Sequence, residues 1–96
     1  MTFAFTQDVP IDTEFYQRIV DGLGSDTPDG LIVHLAVKHE GGLRYIDVWE
    51  SQAAWQRFVD ERLHPVLHGL LHDVFGDAMP PEPPQTAMDV VHAWIG

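Results

Sequence analysis

Residues Thr2 to Val9 alternate, with Phe3, Phe5 and Val9 on one side and Thr2, Thr6 and Asp8 on the other, the period of a half-buried strand. Pro10-Ile11-Asp12 then opens a helical pattern in which Ile11, Phe15, Ile19 and Leu23 recur every four residues. Asp12 is placed to cap it, and Ile11 with Tyr16 to form a hydrophobic staple. Gly22 and Gly24 end the helix, and Ser25 to Gly30 reads as a turn-rich loop. Leu31 to His39, Gly41-Gly42 and Leu43 to Glu50 have the form of an antiparallel hairpin. Ser51 caps a second helix with Trp55, Phe58, Val59 and Leu63 on its buried stripe. Pro65 cannot donate a backbone bond and disfavours helical geometry at His64, which predicts a break there. A further helical piece starts at Pro65, with Val66, Leu67, Leu70, Leu71, Val74 and Phe75 as its apolar face. Met79 to Pro84 reads as extended loop, and Ala87 to Ile95 as the last strand. The order strand, helix, strand, strand, helix, strand predicts one α+β domain over residues 1–96. It is the ferredoxin-like βαββαβ arrangement, a four-stranded antiparallel sheet with both helices on one face.

The plainest aliphatic rows are expected to face those helices: Leu31, Val33, Leu35 and Val37, then Ile46 and Val48, then Val91, Ala93 and Ile95. The same alternation gathers Ile32, His34, Ala36, Tyr45, Asp47, Trp49, Val90, His92 and Trp94 on the opposite face. A surface that aromatic is expected to be covered by a second subunit, a ligand, or both.

Composition narrows the partners. The 96 residues carry 15 acidic and 5 basic side chains, and a net charge of -10 repels phosphate backbones and anionic lipid, so neither nucleic acid nor a membrane surface is expected as a partner. No run approaches the roughly 18 apolar residues of a membrane span, and Met1 to Phe5 lacks the features of a signal peptide, which gives a cytoplasmic expectation. With no cysteine to staple so small a domain, dimerisation is expected to supply burial.

Gly30-Leu31-Ile32-Val33-His34, Gly42 to Ser51, Trp55-Gln56-Arg57-Phe58 and Arg62-Leu63-His64-Pro65 carry a family likeness over roughly residues 3 to 95. The chain resembles the dimeric α+β barrel superfamily that includes antibiotic-biosynthesis-type monooxygenases. The resemblance implies two ferredoxin-like subunits packed sheet against sheet, each with a pocket between sheet and helices or within the barrel. It leaves the reaction open among cofactor-free oxygenases, haem-degrading enzymes, isomerases and dehydratases.

The candidate chemistry centres on His34 and Asp47 as catalytic residues, with Tyr45, Trp49, His92 and Trp94 binding a small hydrophobic or aromatic molecule. An imidazole accepts a proton near neutral pH, and an aspartate beside it fixes its tautomer. Cofactor-free oxygenases need little more than a base in a dry aromatic pocket, because the substrate anion reduces dioxygen directly. The competing reading is a non-catalytic homodimer that binds a small hydrophobic ligand or serves only as an assembly module, with the aromatic residues as interface packing and His34 and Asp47 satisfying buried hydrogen bonds. His68 and His72 lie four apart, with His64 nearby, but a pair is not a metal site, even with Asp60, Asp73 or Asp77 at hand, and no metal or cofactor is expected. Haem-degrading relatives place an iron ligand near the position of His68, which leaves haem binding as a lesser alternative. Against it, those relatives carry a tryptophan where Phe58 stands and an asparagine in the first strand, which Thr2 to Val9 lacks. No phosphate loop, nucleophile elbow or cysteine supports nucleotide-dependent or thiol chemistry.

Overall fold

The computed structural model describes residues 2–76 and 83–95, so the expected loop from Met79 to Pro84 falls largely outside the described residues. Strand β1 (Phe3–Val9), helix α1 (Thr13–Leu23), strands β2 (Leu31–His39) and β3 (Gly42–Trp49), helices α2 (Gln52–Phe58) and α3 (His64–Phe75), and strand β4 (Gln85–Met88) follow in that order. The strands form one antiparallel sheet in the order β2-β3-β1-β4, consistent with a ferredoxin-like α+β fold. No helix among the described residues is long and apolar enough to cross a membrane.

Local chemistry sets the helix starts as expected. The Asp12 carboxylate accepts from the Phe15 amide at 2.8 Å, and the Ser51 hydroxyl accepts from the Ala54 amide at 3.1 Å. The expected break at Pro65 does not occur. Between α2 and α3, Val59–Leu63 forms a π-helical stretch in which the His64 amide bonds to the Val59 carbonyl, five residues back. A prolyl ring collides with the carbonyl four residues before it, and the widened turn carries the chain past that collision without ending the helix. The Arg62 guanidinium in this stretch donates to the Leu23 and Asp26 carbonyls at 3.0 Å each, tying it to the end of α1.

The sheet faces are the reverse of the sequence expectation. His34, Tyr45, Asp47 and Trp49 lie beneath the helices: Tyr16 of α1 reaches His34 and Tyr45, Phe58 of α2 packs on Trp49, and Trp55 of α2 packs on Phe3 and Phe5. The helices themselves offer aromatic rings to this face, so ring packs on ring, and Tyr16 gives His34 a hydrogen-bond partner that an aliphatic side chain could not. Val33, Leu35, Val37, Ile46 and Val48 alternate onto the other face, where Leu35 is 50% and Val37 40% exposed. A bulge interrupts the alternation at Ile32, since Leu31 pairs with Trp49 but Val33 with Val48.

The last strand differs too. It pairs with β1 over Gln85–Met88 alone, with Ala4 opposite Met88. Continued in that register, the chain from Val90 onward passes the start of β1 at Phe3 and meets no strand to pair with. Val90, His92 and Trp94 therefore belong to no strand face, and Val91, Trp94 and Ile95 are exposed.

Candidate functional site

A continuous line of side-chain hydrogen bonds runs from α1 into the sheet. Its centre is fixed by register: His34 on β2 and Asp47 on β3 are Cα partners, so their side chains project together toward the helices. His34 Nδ1 lies 2.7 Å from Asp47 Oδ1, and Trp49 Nε1 donates to Asp47 Oδ2 at 3.1 Å. Tyr16, one turn into α1, brings its hydroxyl 2.7 Å from His34 Nε2.

The protonation pattern follows from these contacts. An ionised carboxylate only accepts, so Nδ1 carries the hydrogen of a neutral His34 and Nε2 presents its lone pair to the Tyr16 O–H. Asp47, 6% exposed, has each oxygen engaged by a donor, which is how a carboxylate is tolerated so close to the 1% exposed Trp49. Burial first, and then the Asp47 charge, push the Tyr16 hydroxyl above the ordinary tyrosine range. The Tyr45 hydroxyl is raised as well, chiefly by burial and then by Tyr16 and Asp47. Both therefore stay phenols at neutral pH.

The rings enclose the imidazole. Tyr16 stacks on His34 with centroids 6.1 Å apart, Tyr45 meets His34 edge-on at 5.4 Å, and the two tyrosine rings are 5.7 Å apart. Strand β2 is an edge of the sheet, so the cluster opens at that edge, and the His34 side chain is 30% exposed while Asp47 behind it is covered. The group can accept a proton at its outer end and hold the resulting imidazolium against a fixed negative charge.

Of the six residues singled out from sequence, His34, Tyr45, Asp47 and Trp49 come together here. His92 and Trp94 contact each other, with centroids 5.5 Å apart, in the segment after β4, where Trp94 is 89% exposed. Tyr16 was legible only as a staple residue. The signal for a further role was a phenol beside the inward stripe of α1, since a half-buried hydroxyl needs a partner. Two shallow grooves lie elsewhere. One runs by Pro10, Thr13, Lys38, His39 and Leu43, and the other by Phe15, Arg18, Leu71, Val74 and Phe75. His64, His68 and His72 lie exposed on α3, Asp77 falls outside the described residues, and among those described no three histidine or carboxylate side chains converge as metal ligands. The chain matches no protein-family model and no curated protein.

Proposed function

We propose that the chain is a small-molecule enzyme of the cofactor-independent oxygenase type, acting on a small hydrophobic or aromatic molecule, with His34 as proton acceptor. In this reading it is one subunit of a homodimeric α+β barrel of the antibiotic-biosynthesis-monooxygenase kind. The observation that carries the reading is the 2.7 Å bond between His34 Nδ1 and the buried Asp47 carboxylate. It fixes the tautomer that leaves Nε2 basic, and it places a negative charge where the imidazolium forms. An acidic C–H or O–H gives its proton to this site, and the electron-rich anion left behind passes an electron to dioxygen. Asp47 is a positioning residue here, and the Tyr16 and Tyr45 rings favour a flat, apolar substrate. Oxygen uptake with a panel of polycyclic phenols tests the reading. His34→Gln should lose about 100-fold or more of the wild-type rate, whereas equal uptake by both proteins overturns it.

A second reading is favoured by the open sheet face. Val33, Leu35, Val37, Ile46 and Val48 present an aliphatic surface with none of the described helices over it, as a non-catalytic homodimer would require. Two such faces packed together leave the helices outward and the His34 cluster as internal polar packing. A sedimenting dimer with no oxygen uptake by the wild type favours this reading over the first.

A further inference from the structure

We infer that Tyr16, and not His34, is the residue that meets the substrate, relaying the proton of a phenolic O–H to His34. The inference rests on the acid-base reading of His34 and Asp47 and extends it outward by one residue. The lone pair of His34 Nε2 is already engaged by the Tyr16 hydroxyl at 2.7 Å, so direct attack on a substrate proton would first have to break that bond. The Tyr16 oxygen, in contrast, keeps a free lone pair, and its hydrogen bond to His34 lies exposed.

The step balances without forming a tyrosinate. As the substrate O–H bond breaks, its proton forms a new O–H bond to the Tyr16 oxygen, and the original Tyr16 hydrogen moves to His34 Nε2. The electron pair of the broken bond stays on the substrate oxygen as phenolate, and His34 becomes imidazolium held by Asp47. A phenol that resists ionisation suits this role, because Tyr16 exchanges one hydrogen for another and is never left charged. A phenolic O–H is the matching substrate group: it donates to the Tyr16 oxygen, its acidity is close enough to imidazole's for transfer, and its ring can pack on Tyr16 and Tyr45.

The probe is 4-nitrophenol, whose phenolate absorbs visible light and whose phenol does not. Bound to wild type, its phenolate-to-phenol ratio should exceed that of free probe at the same pH by about tenfold. Tyr16→Phe keeps the ring, and its melting temperature and the His34 ring-nitrogen NMR signals report whether the fold and the Asp47 bond persist. With these intact, Tyr16→Phe should bind the probe and return the ratio to the free value, as should His34→Gln. If Tyr16→Phe ionises the probe as wild type does while His34→Gln does not, His34 takes the proton directly; the relay is overturned and the acid-base reading stands. If His34→Gln also ionises it as wild type does, both fall. Failure of wild type to bind the probe overturns the phenol assignment, and oxygen uptake still judges the acid-base reading separately.

Discussion

Asp47 stands directly across the β2–β3 pairing from His34, and one of its oxygens lies 2.7 Å from His34 Nδ1. The other oxygen takes the Trp49 indole N–H. Trp49 is the most deeply buried large side chain described, so its N–H has no water to turn to. The carboxylate thus fixes an imidazole at the edge of the site and satisfies the floor beneath it.

Removing that carboxylate should be costly for the fold. In Asp47→Ala the Trp49 N–H is left buried without an acceptor, while the more exposed His34 can bond to water. The expected loss is about 2 to 3 kcal/mol, read as a lower urea midpoint with an unchanged slope. Asp47→Asn keeps the volume and one acceptor oxygen and should lose less. A variant Asp47→Ala as stable as wild type would show that Trp49 does not depend on this bond.

The tyrosines give the protein an alkaline limit. Tyr16 and Tyr45 are both raised in the folded state, chiefly by burial, while in the unfolded chain they titrate at the ordinary value of about 10. A raised folded value means the unfolded state loses its protons first. The associated stability is complete below pH about 10 and falls as pH rises above it toward the folded values. Urea midpoints measured from neutral pH into this range should decline. Tyr45→Phe should flatten the decline, because a side chain that cannot ionise removes that difference between states.

Local signals were the most legible part of the sequence. Asp12 and Ser51 cap their helices through contacts three residues long, and the Leu31–His39 strand lies between glycine-marked ends. Which sheet face the helices cover was not legible. Alternation assigns His34 and Asp47 to one face and Leu35 and Ile46 to the other, but a period of two is symmetric and does not choose between them. The choice rests on the helices' own aromatic side chains, Tyr16, Trp55 and Phe58, which matched the ring-bearing face. Pro65 misled in another way: its steric rule is sound, but a single π-helical turn satisfies it as well as a break does. The role of Tyr16 depends on a contact between residues 18 apart that no local pattern encodes.

The hairpin end of the sheet has no room for a side chain at Gly42. A Cβ added there would meet the Val9 carbonyl oxygen at far less than contact distance, and would press on the Pro10 and Ile11 backbone as well. Those atoms lead from β1 into the Asp12 cap, so they cannot withdraw without disturbing the start of α1. Gly42→Ala should therefore cost about 2 kcal/mol, measured by urea unfolding. At Gly41, where an added Cβ meets nothing within 4 Å, the cost should come from the positive φ of 82° alone and be smaller. Equal losses at the two positions would contradict the packing account.

The open face is tested by charge. Leu35 and Val37 are half exposed on a surface flanked by Ile46 and Val48, and the same face ends in the Asp8 carboxylate bonded to Arg44. If two copies pack these faces together, a carboxylate placed in the aliphatic row must be desolvated in an apolar interface. Leu35→Glu should convert a sedimenting dimer to a monomer. In the isolated subunit Leu35 already meets water, so the substitution should leave monomer stability within about 0.5 kcal/mol. The β2–β3 hydrogen bonds and the His34 cluster on the other side should persist, which the His34 ring-nitrogen signals report. A dimer that survives Leu35→Glu unchanged excludes this face as the interface. A wild type that sediments as a monomer removes the barrel altogether and leaves the Tyr16–His34–Asp47 line to be judged within a single subunit.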